Sequence, residues 1–163
     1  MVDSIELRKV WSKFPTGVTI MSSLDDDGSI HSMTANAVCS VSLEPPLCLV
    51  CVSFSRHSHE NIKDRSVFSI SFLRSDQTAL AKYFSVDHED RDGSVNPKYI
   101  TQNGTIPVLE DCIANISCRV TTQHQAGDHT IFVAEIIDAT IYENTENDAL
   151  VFYESKFTTL NRD

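Results

Sequence analysis

The chain has 163 residues, 41% of them hydrophobic and 22% charged, which suits one soluble domain with a real core; no apolar run nears the roughly 20 residues that cross a bilayer. With 23 acidic residues against 13 basic ones, a formal net charge of −10 and no basic stripe, a nucleic-acid backbone is excluded as a partner. Five scattered cysteines, Cys39, Cys48, Cys51, Cys112 and Cys118, do not form a disulfide framework, and the N-terminus with Asp3 and Glu6 is no signal peptide; both point to reduced thiols in a cytoplasmic protein.

From Asp3 to Phe14, Leu7, Val10, Trp11 and Phe14 recur at helical spacing, and Asp3 and Glu6 are placed as a capping box. The pattern predicts an amphipathic helix that stops at Phe14-Pro15-Thr16-Gly17, because Pro15 disfavours helical geometry at Phe14. A strand over Val18 to Ser22 follows. Asp25-Asp26-Asp27-Gly28 reads as a solvated hairpin turn, not a metal site, leading into a strand over Ile30 to Ala35.

The stretch from Ser32 to Leu49 is too polar for core and too compact for an ordinary loop. Thr34, Asn36, Ser40 and Ser42 are interleaved with Ala35, Ala37, Val38 and Val41, a surface suited to a flat, heteroatom-rimmed ligand. Glu44-Pro45-Pro46 then breaks the chain before a strand over Leu47 to Ser53, apolar enough to be buried on both faces or closed into a barrel. Cys48 and Cys51 match a dithiol spacing, but three positions apart on a strand they point to opposite faces.

Ser53-Phe54-Ser55-Arg56-His57-Ser58-His59 leads into a short helix carrying Lys63. Hydroxyls, helix amides and two cations make either a phosphate cradle or simply a serine-capped helix. His57 and His59 have no third ligand at a supportive spacing, so no metal is expected.

Val67 to Leu73 alternates cleanly as a strand, and Gln77, Leu80, Ala81 and Phe84 define a helix from Asp76 to Phe84, capped by Ser75 or Asp76. The polar run from Ser85 to Pro107 reads as a mobile excursion or lid. Two long strands, Cys112 to Thr122 and Thr130 to Tyr142, are joined across His124 to His129, and Ala149 to Tyr153 is the last strand. His129 is either turn chemistry beside Gly127 and Asp128 or a ligand contact at a barrel mouth. No Gly-x-Ser-x-Gly or Gly-x-Gly-x-x-Gly occurs, so neither a hydrolase elbow nor a Rossmann unit is present. The expected fold is mainly β, a small antiparallel barrel of about seven strands with a few short helices, as one domain over residues 1–163.

Phe14-Pro15-Thr16-Gly17-Val18-Thr19, His31-Ser32-Met33-Thr34-Ala35-Asn36 running into Ser40-Val41-Ser42-Leu43-Glu44-Pro45-Pro46, Gln77 before Phe84, and Gly127-Asp128-His129-Thr130-Ile131-Phe132 resemble, in order, the short flavin reductases of the FMN-binding split-barrel type. The resemblance implies an antiparallel Greek-key split barrel, a homodimer that binds FMN or FAD, reduces it with NADH or NADPH, and often supplies a partner oxygenase. Carried onto this chain, it places Met33, Thr34, Ala35, Asn36 and Ser40 along the flavin ring, with Ser53, Ser55, Arg56, His57, Ser58, His59 and Lys63 at the phosphate or ribityl chain. Phe84 would flank the site, while His129, with Thr16 and Tyr153, would meet the nicotinamide. Ser32 stands where glycine is usual, which would crowd the backbone approach to the ring.

The expected reaction is hydride transfer from nicotinamide C4 to flavin N5, with backbone amides between Thr34 and Ser40 stabilising charge on the ring and His129 orienting the nicotinamide. Two rival readings use a related fold: a flavin-holding electron carrier that takes no electrons from NAD(P)H, and a pyridoxamine-phosphate oxidase-like enzyme, which needs more basic residues than this acidic chain carries. A barrel without a cofactor or enzymatic activity is the third rival.

Overall fold

The computed structural model describes residues 2–142 and 148–160, so part of the expected 1–163 domain lies outside the described residues. It is mainly β, with short helices α1 (Ser4–Trp11), α2 (His57–Arg65) and α3 (Thr78–Ser85). Strands β2 (Thr19–Leu24), β3 (Ile30–Ala35), β4 (Val38–Leu43), β5 (Pro46–Ser53), β6 (Val67–Phe72), β9 (Ala114–Ala126) and β10 (His129–Ile141) form an antiparallel sheet in the order β3-β2-β6-β9-β10-β5-β4. Short β1 (Thr16–Gly17) joins β11 (Leu150–Tyr153) and β12 (Lys156–Thr159), and β7 (Tyr99–Gln102) pairs with β8 (Ile106–Leu109). The large sheet ends on β3 and β4 as edges, and its hydrogen-bond ladder does not close.

Strand alternation gives the sheet two unlike faces. On one, Met33, Met21, Ile70 and Ile116 stand opposite one another across four strands; that face packs with Val50, Val52, Phe68, Phe132 and Ile62 of α2 into the main core. On the other, the same registers line up Ser32, Ser22, Ser69 and Ser117 as a row of hydroxyls. All four are buried, so the row needs partners. The β7–β8 hairpin supplies them: Tyr99 Oη lies 2.7 Å from Ser32 Oγ, which lies 2.7 Å from Ser22 Oγ. Ser69 Oγ donates to the Pro107 carbonyl, and Ser117 Oγ donates to Gln102 Oε1 at 2.7 Å. The leading end of the expected 85–107 excursion differs as well, because Arg91 is bonded to the Ser32 carbonyl. The polarity of this segment suggested a mobile excursion or a lid; Tyr99, Gln102 and the Pro107 carbonyl satisfy the buried serine face.

A second core of Val18, Ile20, Leu73, Ala81, Phe84, Leu109 and Leu150 lies beneath α3. That helix starts at Thr78 after a 3₁₀ turn over Ser75–Gln77, in which Gln77 Oε1 accepts the Arg74 amide at 2.9 Å. Gln77 therefore organises the start expected of Ser75 or Asp76. In α1 the expected capping box does not form, since Asp3 makes no side-chain cap bond. Its apolar side chains are largely exposed: Val10 and Trp11 are 63% and 65% exposed, and Phe14, just past its end and edge-on to Trp11, is 61% exposed.

The remaining differences are local. β4 forms a hairpin with β5 where the Ser32 to Leu49 stretch read as ligand surface, and β12 follows Tyr153 through a turn at Glu154 and Ser155, both with positive φ. Only Gly127 and Asp128 separate β9 from β10, with Gly127 at φ +63°. Cys48 is buried and Cys51 half-buried on opposite faces of β5, as expected. The thiol near Cys48 is Cys118, 3.6 Å away.

The Tyr99–Ser32 bond is a measurable joint between hairpin and sheet. Tyr99→Phe is expected to lower stability by roughly 1 kcal/mol in urea unfolding, and a double-mutant cycle with Ser32→Ala to return a coupling of comparable size. Strict additivity would mean that the two hydroxyls do not hold the hairpin.

Candidate functional site

An open cleft of about 590 Å³ lies beside the outer edge of β3, a size suited to a small molecule or cofactor. Four segments line it: the turn after β2, residues His31 and Met33 of β3, the loop Ser55–Ser58 entering α2, and Val86–Arg91. The sequence folds this way because each segment is tied to another by polar side chains. Asp25 accepts hydrogen bonds from Asn61 Nδ2 and, at 3.0 Å, from His57 Nε2, while Arg65 donates to the Asp25 carbonyl at 2.6 Å. The hairpin turn is thus fastened to α2. Asp26 and Asp27 are solvated as expected of an acidic turn, but Asp25 is half-buried and structural.

Across the cleft, Arg56 pairs with Asp87 and donates to the Ser85 carbonyl at 3.2 Å. Arg91 lies over the rings of Phe84 and Tyr83, 4.8 and 5.7 Å from their centroids, and its Nη2 donates to the Ser32 carbonyl at 2.8 Å. Burial lowers the pKa of this guanidinium from its ordinary value. Burial, with the adjacent His57 reinforcing it, also brings the His31 imidazole down to about 4, so that His31 is neutral at pH 7. Two polar groups of the lining lack partners among the described residues: Ser58 Oγ, on a residue 1% exposed at the N-terminus of α2, and Arg91 Nε. An orphaned buried hydroxyl beside helix amides fits an anionic ligand group.

Met33, Ser55, Arg56, His57 and Ser58, all expected at a flavin, line this cleft together. Ser32 does not crowd it: its hydroxyl belongs to the serine row on the sheet face opposite Met33. Its carbonyl, bonded to Arg91, faces outward from the β3 edge, and by alternation the Thr34 backbone does too. The Thr34 hydroxyl donates to the Ala81 carbonyl at 2.7 Å and anchors α3; the buried Ala35 gives its carbonyl to Thr19 Oγ1 at 2.7 Å.

Other candidates stand apart. His59 is turned into the core, its Nε2 2.8 Å from Thr130 Oγ1 and its ring edge-on to Phe54. Lys63 lies on the exposed side of α2, 3.6 Å from Glu60, and does not line the cleft. Neither lines the cleft: His59, although in the first turn of α2, faces β10, and Lys63 lies more than a turn further on. Ser40 is exposed on the edge strand β4, and Phe84 is buried beneath Arg91. Asn36 Nδ2 donates to Thr16 Oγ1 at 3.2 Å, and Thr16 pairs with Phe152 next to Tyr153. His129 sits opposite Ser53 on neighbouring strands, with Nδ1 2.7 Å from Asp128 Oδ1.

Sequence reasoning missed Asp25, His31, His88 and Arg91. Asp25 and His31 join His57 with ligand atoms all within 4.8 Å of one another. Spacing along the chain, which suggested no third ligand for His57, carries no information about this meeting of a turn, a strand and a helix.

Residues 11–161 match the flavin reductase like domain. The chain is 34% identical over 161 residues to an NADH-dependent flavin reductase from Rhodococcus sp, covering 98% of this chain and 88% of that protein. It is 33% identical over 156 residues to the reductase component of a 4-nitrophenol 4-monooxygenase/4-nitrocatechol 2-monooxygenase from Rhodococcus opacus, covering 96% and 80% of the two chains. The solved structure of flavin reductase PheA2 in its native state superposes with a TM-score of 0.89 at 35% identity, covering 99% and 100%.

Arg91 is the tie between the 86–91 wall and β3. Arg91→Ala is expected to cost about 1–3 kcal/mol, through the lost charged hydrogen bond and the lost stacking on Phe84. Limited proteolysis should then cut faster between Ser85 and Lys98; an unchanged cleavage rate there would remove this role.

Proposed function

The chain belongs to the flavin reductase-like family, and we propose that it acts as an NADH-dependent flavin reductase whose flavin lies along the outer edge of β3 in the cleft. The observation that carries this placement is the orphaned Ser58 hydroxyl at the start of α2, in the same cleft as Met33 of the edge strand β3. A planar ring with an anionic tail fits that combination. When bound, FMN or FAD supplies the hydride-accepting ring, and NADH or NADPH supplies the hydride.

The chain's own groups bind and orient. Met33 covers the ring, and the outward Thr34 amide offers a hydrogen bond to its polar rim, where negative charge grows on reduction. Ser55 and Ser58, with the first amides of α2, take the phosphate end, while Arg56 and Arg91 hold the two walls together and offset its charge. With Asp87 paired to Arg56, part of the acidic lining is neutralised. His129 orients the nicotinamide from the start of β10 beside Ser53, with Thr16 and Tyr153 as further nicotinamide contacts and Asn36 at the flavin.

The exposed face of α1 reads as a contact with a second copy, making the working form a homodimer, each chain a split barrel of Greek-key type. Residues 1–163 act in this reading as one domain. By analogy with the Rhodococcus opacus reductase component, reduced flavin passes to an oxygenase.

Anaerobic titration with NADH in the presence of FMN or FAD should bleach the flavin absorbance; flavin that stays oxidised would favour a carrier without nicotinamide activity. Ser58→Ala is expected to weaken flavin binding about tenfold, corresponding to about 1.4 kcal/mol. His129→Ala should instead raise KM for NADH about tenfold with flavin affinity unchanged, whereas equal loss of both would make His129 structural. Sedimentation should find a dimer that Trp11→Asp dissociates.

A further inference from the structure

We infer that Asp25, His31 and His57 form a binding site for one divalent transition-metal ion on the wall of the cleft. The carboxylate and two imidazoles present ligand atoms within 4.8 Å of one another, close enough for small side-chain rotations to bring them around one ion. Two imidazoles and one carboxylate are a donor set suited to zinc, cobalt or nickel, and three protein ligands leave a fourth position open. All three residues line the cleft, so that position faces a space where water or an anionic group completes the coordination.

Three features argue for more than a chance meeting. His31 is 7% exposed, and among the described residues no hydrogen bond engages its ring nitrogens, which leaves them available at the cleft. Its ring packs edge-on against His57, with centroids 4.7 Å apart, although no hydrogen bond joins them. The ligands are also preorganised: His31 faces Ser23 in the β2–β3 ladder, and Asn61 holds the carboxylate of Asp25 against α2. Among the described residues no lysine or arginine side chain forms a salt bridge with that carboxylate; Arg65 takes the backbone carbonyl and Asp26 instead. His57 ligates through Nε2 once its proton rests on Nδ1, giving up the hydrogen bond to Asp25 for a shared metal. His88, with its ring 6.4 Å from that of His31, lies close enough to supplement the set.

The assignment stands apart from the flavin reading and is tested without flavin. Tag-free, flavin-free protein, treated with chelator and desalted, is titrated with cobalt(II) and followed by its visible ligand-field band, then with zinc(II) by calorimetry. Cys39→Ser protein is run in parallel, because Cys39 is an exposed thiol. One ion per chain is expected, with nitrogen coordination in the cobalt spectrum. His57→Gln and Asp25→Asn, verified as folded by circular dichroism, should each weaken zinc binding at least tenfold. Absence of saturable binding, or affinity unchanged in both variants, overturns the proposal; loss of binding in Cys39→Ser alone assigns the metal to the thiol and overturns it equally.

Discussion

The rest of the structure depends on a row of serine hydroxyls that is buried. Ser32, Ser22, Ser69 and Ser117 stand opposite one another on four adjacent strands, on the face of the sheet that does not carry the main core. A hydroxyl taken from water without a partner costs on the order of 1–3 kcal/mol, so this face tolerates only a cover that brings matching polar groups. The β7–β8 hairpin is that cover, through the Tyr99 hydroxyl, the Pro107 carbonyl and Gln102. The same hairpin contributes Leu109 to the second core, joining polar satisfaction to apolar burial.

The site inherits its form from this arrangement. Because alternation turns the Ser32 side chain toward the hairpin, its neighbours His31 and Met33 face the other way and line the cleft. The Ser32 carbonyl receives Arg91, so one residue anchors both the serine row and the wall of the cleft. A glycine there would leave the Tyr99 hydroxyl without this partner. The serine thus serves the hairpin on one side and leaves the ligand edge clear on the other.

The ligand side combines few polar groups, each with a distinct physical task. Ser58 and the first turn of α2 offer donors, Arg91 carries a cation over an aromatic shelf, and Met33 offers an apolar surface. Among the described residues that line the cleft, no hydroxyl is hydrogen-bonded to an imidazole, which suits a reaction whose chemistry belongs to bound cofactors and whose protein contribution is orientation and local electrostatics.

Much of this was legible in local patterns: the alternation of Val67 to Leu73, the Asp-Gly turn after β2, the helical spacing of Leu80, Ala81 and Phe84, and the ordered segments that resemble flavin reductases. Such signals persist because backbone periodicity and turn chemistry are properties of a few consecutive residues. Polarity alone misjudged Ser85 to Pro107, since whether a polar segment is solvated depends on what it covers. Helical periodicity likewise gave α1 an apolar face but could not say that this face stays largely exposed. The sequence by itself determined most of the strands and helices, the mainly β class and the family. Only the tertiary structure decided that His59 turns inward, that Lys63 leaves the cleft and that Asp25, His31, His57 and Arg91 gather around it, because strand register and helix docking set distances between residues that the chain order keeps far apart.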